Sequence, residues 1–139
     1  MNATLVKPKF VKTVKTGAIT GLIASIANLL FFFAVNMFWP LTIPFSVVIL
    51  NSMLGLMAGS LIYFVLSRFL GPRTNLVFTI VSIAFLCVYA FAPINAMSHE
   101  LAPGMGLFNI ATVVTTEVMH LIAGGLAIMR LRGLMSAQV

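Results

Sequence analysis

Two side chains in this sequence have the types and spacing for proton chemistry. Glu117 and His120 lie three residues apart, which places both on one face of a helix, where they can meet. A carboxyl beside an imidazole can serve a proton relay, proton-coupled transport or a small-molecule site. They are also the only ionisable residues between Leu107 and Met129, a run long enough to cross a bilayer core of about 30 Å. At about 1.5 Å per residue, Glu117 falls about 15 Å from Leu107 and about 20 Å from Arg130, close to the midplane. An ionisable group at that depth costs about 2.5–3.5 kcal/mol on insertion scales. With no Lys or Arg at that level, a protonated carboxyl or a proton shared between Glu117 and His120 is expected.

Other polar residues join the candidates. By the same count Asn28 and Ser82 reach the middle layer, Asn51 lies nearer the outer third, and Thr116 stands beside Glu117. Glu117, His120, Asn28, Asn51, Ser82 and Thr116 are therefore the candidate proton- or ligand-binding residues. The structural alternative is that Glu117 ties its helix to Asn28 or to a neighbouring subunit.

Several chemistries are excluded. Glu-x-x-His resembles half of a di-iron motif, but such bundles need two of these and further carboxylates. The only other acid is Glu100, in a connection. Paired histidine ligation of haem fails as well, because His99 and His120 differ in depth by about 20 Å. A tetrapyrrole on His120 alone is a lesser reading, with Gly124 leaving ring space one turn away. His99 and Glu100 read as an ordinary solvated loop. There is no glycine-rich phosphate loop, no nucleophile elbow and no Asp at all, so neither soluble-type catalysis nor a metal centre is expected. Cys87 is the only cysteine; it forms no dithiol motif and is expected to pack as a small apolar residue.

The elements that position these residues follow from composition. Of 139 residues, 61% are hydrophobic and 7% charged, against roughly a quarter charged in a soluble domain. Mean hydropathy is +1.15. A water-soluble domain, a disordered chain and a disulfide-framed secreted module are ruled out. Four runs suit transmembrane helices: Gly17–Phe38, Phe45–Phe69, Asn75–Pro93 and Leu107–Met129. The connections are Trp39 through Pro44, Gly71-Pro72, and Pro93 through Gly106, rich in breakers. The expectation is an all-α integral membrane bundle of four transmembrane helices, one domain over residues 1–139, preceded by a basic segment over residues 1–16.

Charge sets the orientation. Lys7, Lys9, Lys12 and Lys15 precede the first run, Arg68 and Arg73 flank the second connection, and Arg130 and Arg132 follow the last run. The other two connections carry no Lys or Arg. With four spans all eight cations fall on one side, which the positive-inside rule assigns to the cytoplasm. Both termini are expected there, in the cell (inner) membrane. The start resembles a signal peptide, but its apolar run is too long and Val35-Asn36-Met37 is no cleavage site, so it is expected to stay as an anchor. Phe10, Val11 and Val14 project opposite the lysines, as in an interfacial helix on anionic lipid; a topology signal in a tail is the plainer reading. Topology accounts for the net charge of +6, and nucleic-acid binding is not expected.

Small residues at four-residue spacing mark helix contacts in lipid. Gly17 and Gly21 on the first run, Gly55 and Gly59 below Asn51 on the second, and Gly124 on the fourth are the expected packing positions. Trp39 and Tyr89 near the outer edge and Tyr63 near the inner read as interface anchors.

Ala24-Ser25-Ile26-Ala27-Asn28-Leu29, the Arg-bearing turn after the second run, the Pro-ended third run and Val118-Met119-His120-Leu121-Ile122-Ala123-Gly124 resemble a family of small bacterial four-helix integral membrane proteins that has no assigned activity. The likeness covers Gly17 to about Arg132. It implies four helices with cytoplasmic termini; Glu117 lies outside the motifs that carry it. The functional expectation is a non-catalytic membrane protein acting as a homo-oligomer or as a subunit or binding component of a larger membrane complex. The alternative is a proton-coupled transporter or channel using Glu117 and His120, and a third reading is a cofactor carrier with His120 as ligand.

Overall fold

The computed structural model describes residues 7–101 and 106–135. Residues 1–6 of the expected basic segment and part of the third connection lie outside the described residues. Within them the chain is all-helical: α1 (Phe10–Asn36), α2 (Phe45–Leu70), α3 (Thr74–Tyr89), the short α4 (Phe91–Asn95) and α5 (Ile110–Arg132), with single 3-10 turns at Gly71–Arg73 and Gly133–Met135.

Three helical stretches are long and apolar enough to cross a membrane: Phe10–Asn36, Phe45–Asn95 and Ile110–Met135. This corrects the expectation of four separate spans. The middle stretch is 51 residues long and folds back on itself. Gly71 ends α2 with φ +52°, a left-handed conformation that glycine adopts without Cβ strain. Pro72 follows, and the Thr74 hydroxyl donates to the Gly71 carbonyl at 2.8 Å. α3 then runs antiparallel to α2, because the Tyr63 hydroxyl donates to Asn75 Oδ1 at 2.7 Å and the Tyr63 and Phe78 rings meet edge-on at 5.0 Å. By itself α3 has 16 residues, about 24 Å. Its end is set by Pro93, which has no N–H for the Tyr89 carbonyl one turn back and whose ring crowds it.

The other boundaries shift for local reasons. α1 begins at Phe10 rather than Gly17, so Lys12 and Lys15 belong to a continuous 27-residue helix, with Lys9 at its N-cap, and not to a separate interfacial one. α5 begins at Ile110 rather than Leu107, because the Asn109 side chain accepts from the Thr112 N–H at 2.7 Å and caps the helix there.

Burial runs opposite to that of a soluble bundle. The buried face of α1 is Thr13, Gly17, Thr20, Gly21, Ala24, Ser25, Asn28 and Phe32, whereas Leu22, Ile26, Leu30 and Phe33 are more than half exposed. Small and polar residues let helix backbones approach, and large apolar residues face the surface a bilayer would cover. Two buried apolar clusters fill the interior. One is centred on Tyr63, Phe78 and Leu131, the other on Phe32, Phe108 and Met119.

Candidate functional site

The antiparallel order brings every basic residue to one end. Lys7 Nζ donates to the Arg68 carbonyl at 3.2 Å, and Asn75 Nδ2 to the Arg132 carbonyl at 3.3 Å. The far end is stitched by its own bonds. Asn109 Nδ2 donates to the Pro40 carbonyl at 3.0 Å, Thr42 N–H donates to Thr112 Oγ1 at 3.0 Å, and Phe108 N–H donates to the Ala96 carbonyl at 2.8 Å.

Depth follows from these registers. Glu117 is seven residues into α5, about 10 Å from the far end, and His120 is about 15 Å in. Glu117 therefore lies in the half of α5 nearer the end away from the cations, the helix starting at Ile110 rather than Leu107. Asn28, eight residues from the end of α1, and Ser52, seven residues into α2, fall at about 10–12 Å by the same count. Asn28 and Ser52 share one layer through their hydrogen bond.

Among the described residues three buried side-chain polar atoms have no hydrogen-bond partner: Asn28 Oδ1, Glu117 Oε1 and His120 Nδ1. Asn28 is 2% exposed, and its Nδ2 donates to Ser52 Oγ at 2.9 Å. Glu117 and His120 are half-buried. The expected bond between them is not formed. The His120 ring instead meets the edge of Tyr89 at 5.8 Å, with the planes at 88°. Aromatic contact with α3 orients the imidazole, while the carboxyl stays on the α5 face without a donor.

The remaining candidates divide. Thr116 Oγ1 donates to its own helix, to the Thr112 carbonyl at 2.8 Å, and is not directed at Glu117. Ser82 is half-buried on α3 and Asn51 is exposed on α2, so neither joins Asn28. Gly17 packs directly on Ser60, and a Cβ at Gly21 would lie 3.2–3.4 Å from Met53 and Leu56. Gly55 and Gly59 meet nothing within 4 Å: the packed stripe of α2 is Ser52, Leu56, Ser60, Tyr63 and Ser67, one residue round from the expected one. Sequence reasoning missed Ser52 and Ser60, although the serine spacing was a visible signal, and read Tyr89 only as an interface anchor.

The cofactor reading loses its space. A Cβ at Gly124 would lie 2.7 Å from Leu86 Cδ1, so leucine fills the gap intended for a tetrapyrrole on His120. His99 is exposed at the far end, its Nδ1 3.0 Å from the Ser98 hydroxyl. Among the described residues no three His, Cys, Asp or Glu side chains gather as a metal set would. Cys87 is exposed on α3 rather than packed inside. An open concavity at α4 is lined by Phe91, Ala92, Ile94 and Asn95 and includes none of the candidates.

Comparison with protein-family models, with curated proteins and with solved structures finds no match.

Proposed function

We propose that this chain is a multi-pass protein of the cell membrane that acts without catalysis, as a subunit or binding component completed by a second copy or by a neighbouring membrane protein. Four passes are made by α1, α2, α3 with α4, and α5. An even number of crossings keeps Lys7–Lys15, Arg68, Arg73, Arg130 and Arg132 on one side, the cytoplasmic side by the positive-inside rule. The resemblance to small bacterial four-helix membrane proteins agrees with this topology.

One observation carries the functional reading. Glu117 Oε1 and His120 Nδ1 are buried, about 10 and 15 Å from the start of α5, with no partner from their own chain. An unsatisfied buried polar group costs about 1–3 kcal/mol, more if charged. A donor from outside the chain removes that cost, and packing alone is served better by an apolar residue. The expected result is that the solubilised protein exceeds the mass of one chain in its detergent belt and that Glu117→Leu returns it to a monomer. A monomeric wild-type protein that also brings down no partner would overturn the reading.

The second reading, proton-coupled transport, is favoured by the same residues because both can carry a proton. It requires proton flux in proteoliposomes that Glu117→Gln abolishes. Flux indifferent to that change removes it.

A further inference from the structure

The cations gather at one end of the bundle, Lys12, Lys15, Arg68, Arg130 and Arg132 on helix ends and Lys7, Lys9 and Arg73 beside them. α1 is 27 residues long, about 40 Å, against an apolar core of about 30 Å and a full bilayer of about 40–45 Å. Its uncharged part starts at Gly17, so residues 10–16 extend the helix by about 10 Å, into the layer where headgroup phosphates lie. Lys12 and Lys15 are exposed on that extension and Lys9 is exposed at its N-cap.

The extension is pinned. The Phe10 ring packs edge-on against Phe64 of α2 at 5.1 Å, the Arg68 guanidinium lies 4.6 Å over the same Phe64 ring, and Lys7 Nζ donates to the Arg68 carbonyl. Three contacts therefore fix the lysine-bearing turns of α1 beside the arginine that closes α2. No acid balances them. Glu117 lies in the half of α5 away from the cations and Glu100 in the connection after α4.

We infer that this end is a docking surface for anionic phospholipid headgroups, formed by the first two turns of α1 clamped against the C-terminus of α2. Charge complementarity and depth identify the occupant. The cations stand at phosphate level around the helix ends, where a lipid headgroup arrives from the side with its acyl chains along the exposed apolar faces of α1 and α2. Each basic residue near an anionic membrane surface strengthens binding about fivefold. The inference rests on the membrane-spanning orientation proposed above and is independent of any partner at Glu117.

The test is native mass spectrometry of the full chain released from micelles holding equal amounts of phosphatidylglycerol and phosphatidylcholine. Phosphatidylglycerol adducts are expected to dominate, by about fivefold for each cation engaged, and to weaken in high salt. Lys9→Gln/Lys12→Gln/Lys15→Gln is expected to remove most of the preference. The five cations left at that end preserve the charge bias that orients the chain. Phe10→Ala, which leaves every charge in place but releases the clamp, is expected to lower the preference by a smaller factor. Equal binding of the two lipids by the wild-type protein overturns the inference, as does a preference that survives the triple variant. Displacement of the lipid by millimolar inorganic phosphate, or by an oligonucleotide, overturns the choice of a lipid occupant. Thiol labelling of single-cysteine variants at the two ends reads the orientation separately, so a failure of topology is distinguishable from a failure of lipid recognition.

Discussion

The same substitution at two glycines should move stability in opposite directions. At Gly17, a Cβ meets both Cβ and Oγ of Ser60 and lies 3.2 Å from the Leu56 carbonyl oxygen. A Cβ has no rotamer with which to escape, and one of its neighbours is backbone, so α1 and α2 must separate. Overpacking of this kind costs up to about 3 kcal/mol, and alanine returns about 1 kcal/mol of helix propensity, for a net loss of about 2 kcal/mol. At Gly59 no atom lies within 4 Å, so only the propensity remains, a gain of up to about 1 kcal/mol. Gly124 lies between them, since the atom 2.7 Å from its Cβ position is the flexible end of Leu86; its change should be near zero. Unfolding by sodium dodecyl sulfate in mixed micelles, followed by circular dichroism, measures all three. Adding Ser60→Gly to Gly17→Ala should recover most of the loss, a coupling expected only between touching residues. A Gly17→Ala protein as stable as wild type refutes the close α1–α2 approach. A Gly59→Ala protein that loses stability refutes the open face of α2.

Other substitutions follow from single contacts. Asn28→Ala removes the bond to Ser52 and should cost about 0.6–1.7 kcal/mol, the range of interhelical bonds in membrane bundles. Ser52→Ala added to it should cost almost nothing more in the same unfolding assay. Asn109→Ala removes both the cap on Thr112 and the bond to Pro40. The cap alone is worth about 1 kcal/mol, and amide exchange should quicken over the first turn of α5. Pro93→Ala restores an N–H for the Tyr89 carbonyl, and because Ala90 is already helical (φ −61°, ψ −24°), α3 and α4 should merge. Slowed amide exchange from Ala90 to Ala92 would show this, and unchanged exchange there would count against proline as the cause of the break.

The all-helical class and the gathering of the cations at one end of the bundle were legible because few residue types set them. Apolar runs are long, breakers are local, and the eight cations lie beside only some of the connections. Packing faces were harder to read, for a physical reason. A helix that is apolar on every side has no polar face to subtract, so periodicity does not tell inside from outside. On α2 two stripes of small residues compete, Asn51-Gly55-Gly59 and Ser52-Ser60-Ser67, about 100° apart round the helix. The chain packs on the second, where Asn28 reaches Ser52 and Gly17 reaches Ser60. The contacts of the candidate residues were not legible. The spacing of Glu117 and His120 permits a bond, and only the position of Tyr89 on α3 shows where the imidazole goes instead. The length of α3 depends likewise on Pro93, whose effect falls four residues before it.

The interface between α1 and α2 has a consequence for how the protein is made. Its contacts are all between two helices adjacent in sequence: Phe10 with Phe64, Gly17 with Ser60, the Ser25 hydroxyl with the Ile49 carbonyl, and Asn28 with Ser52. Every one is complete by residue 70 of 139. The first hairpin can therefore close while the second half of the chain is still on the ribosome, shielding the Asn28 amide as it enters lipid. Glu117 arrives later, on α5, and is delivered to a surface already formed.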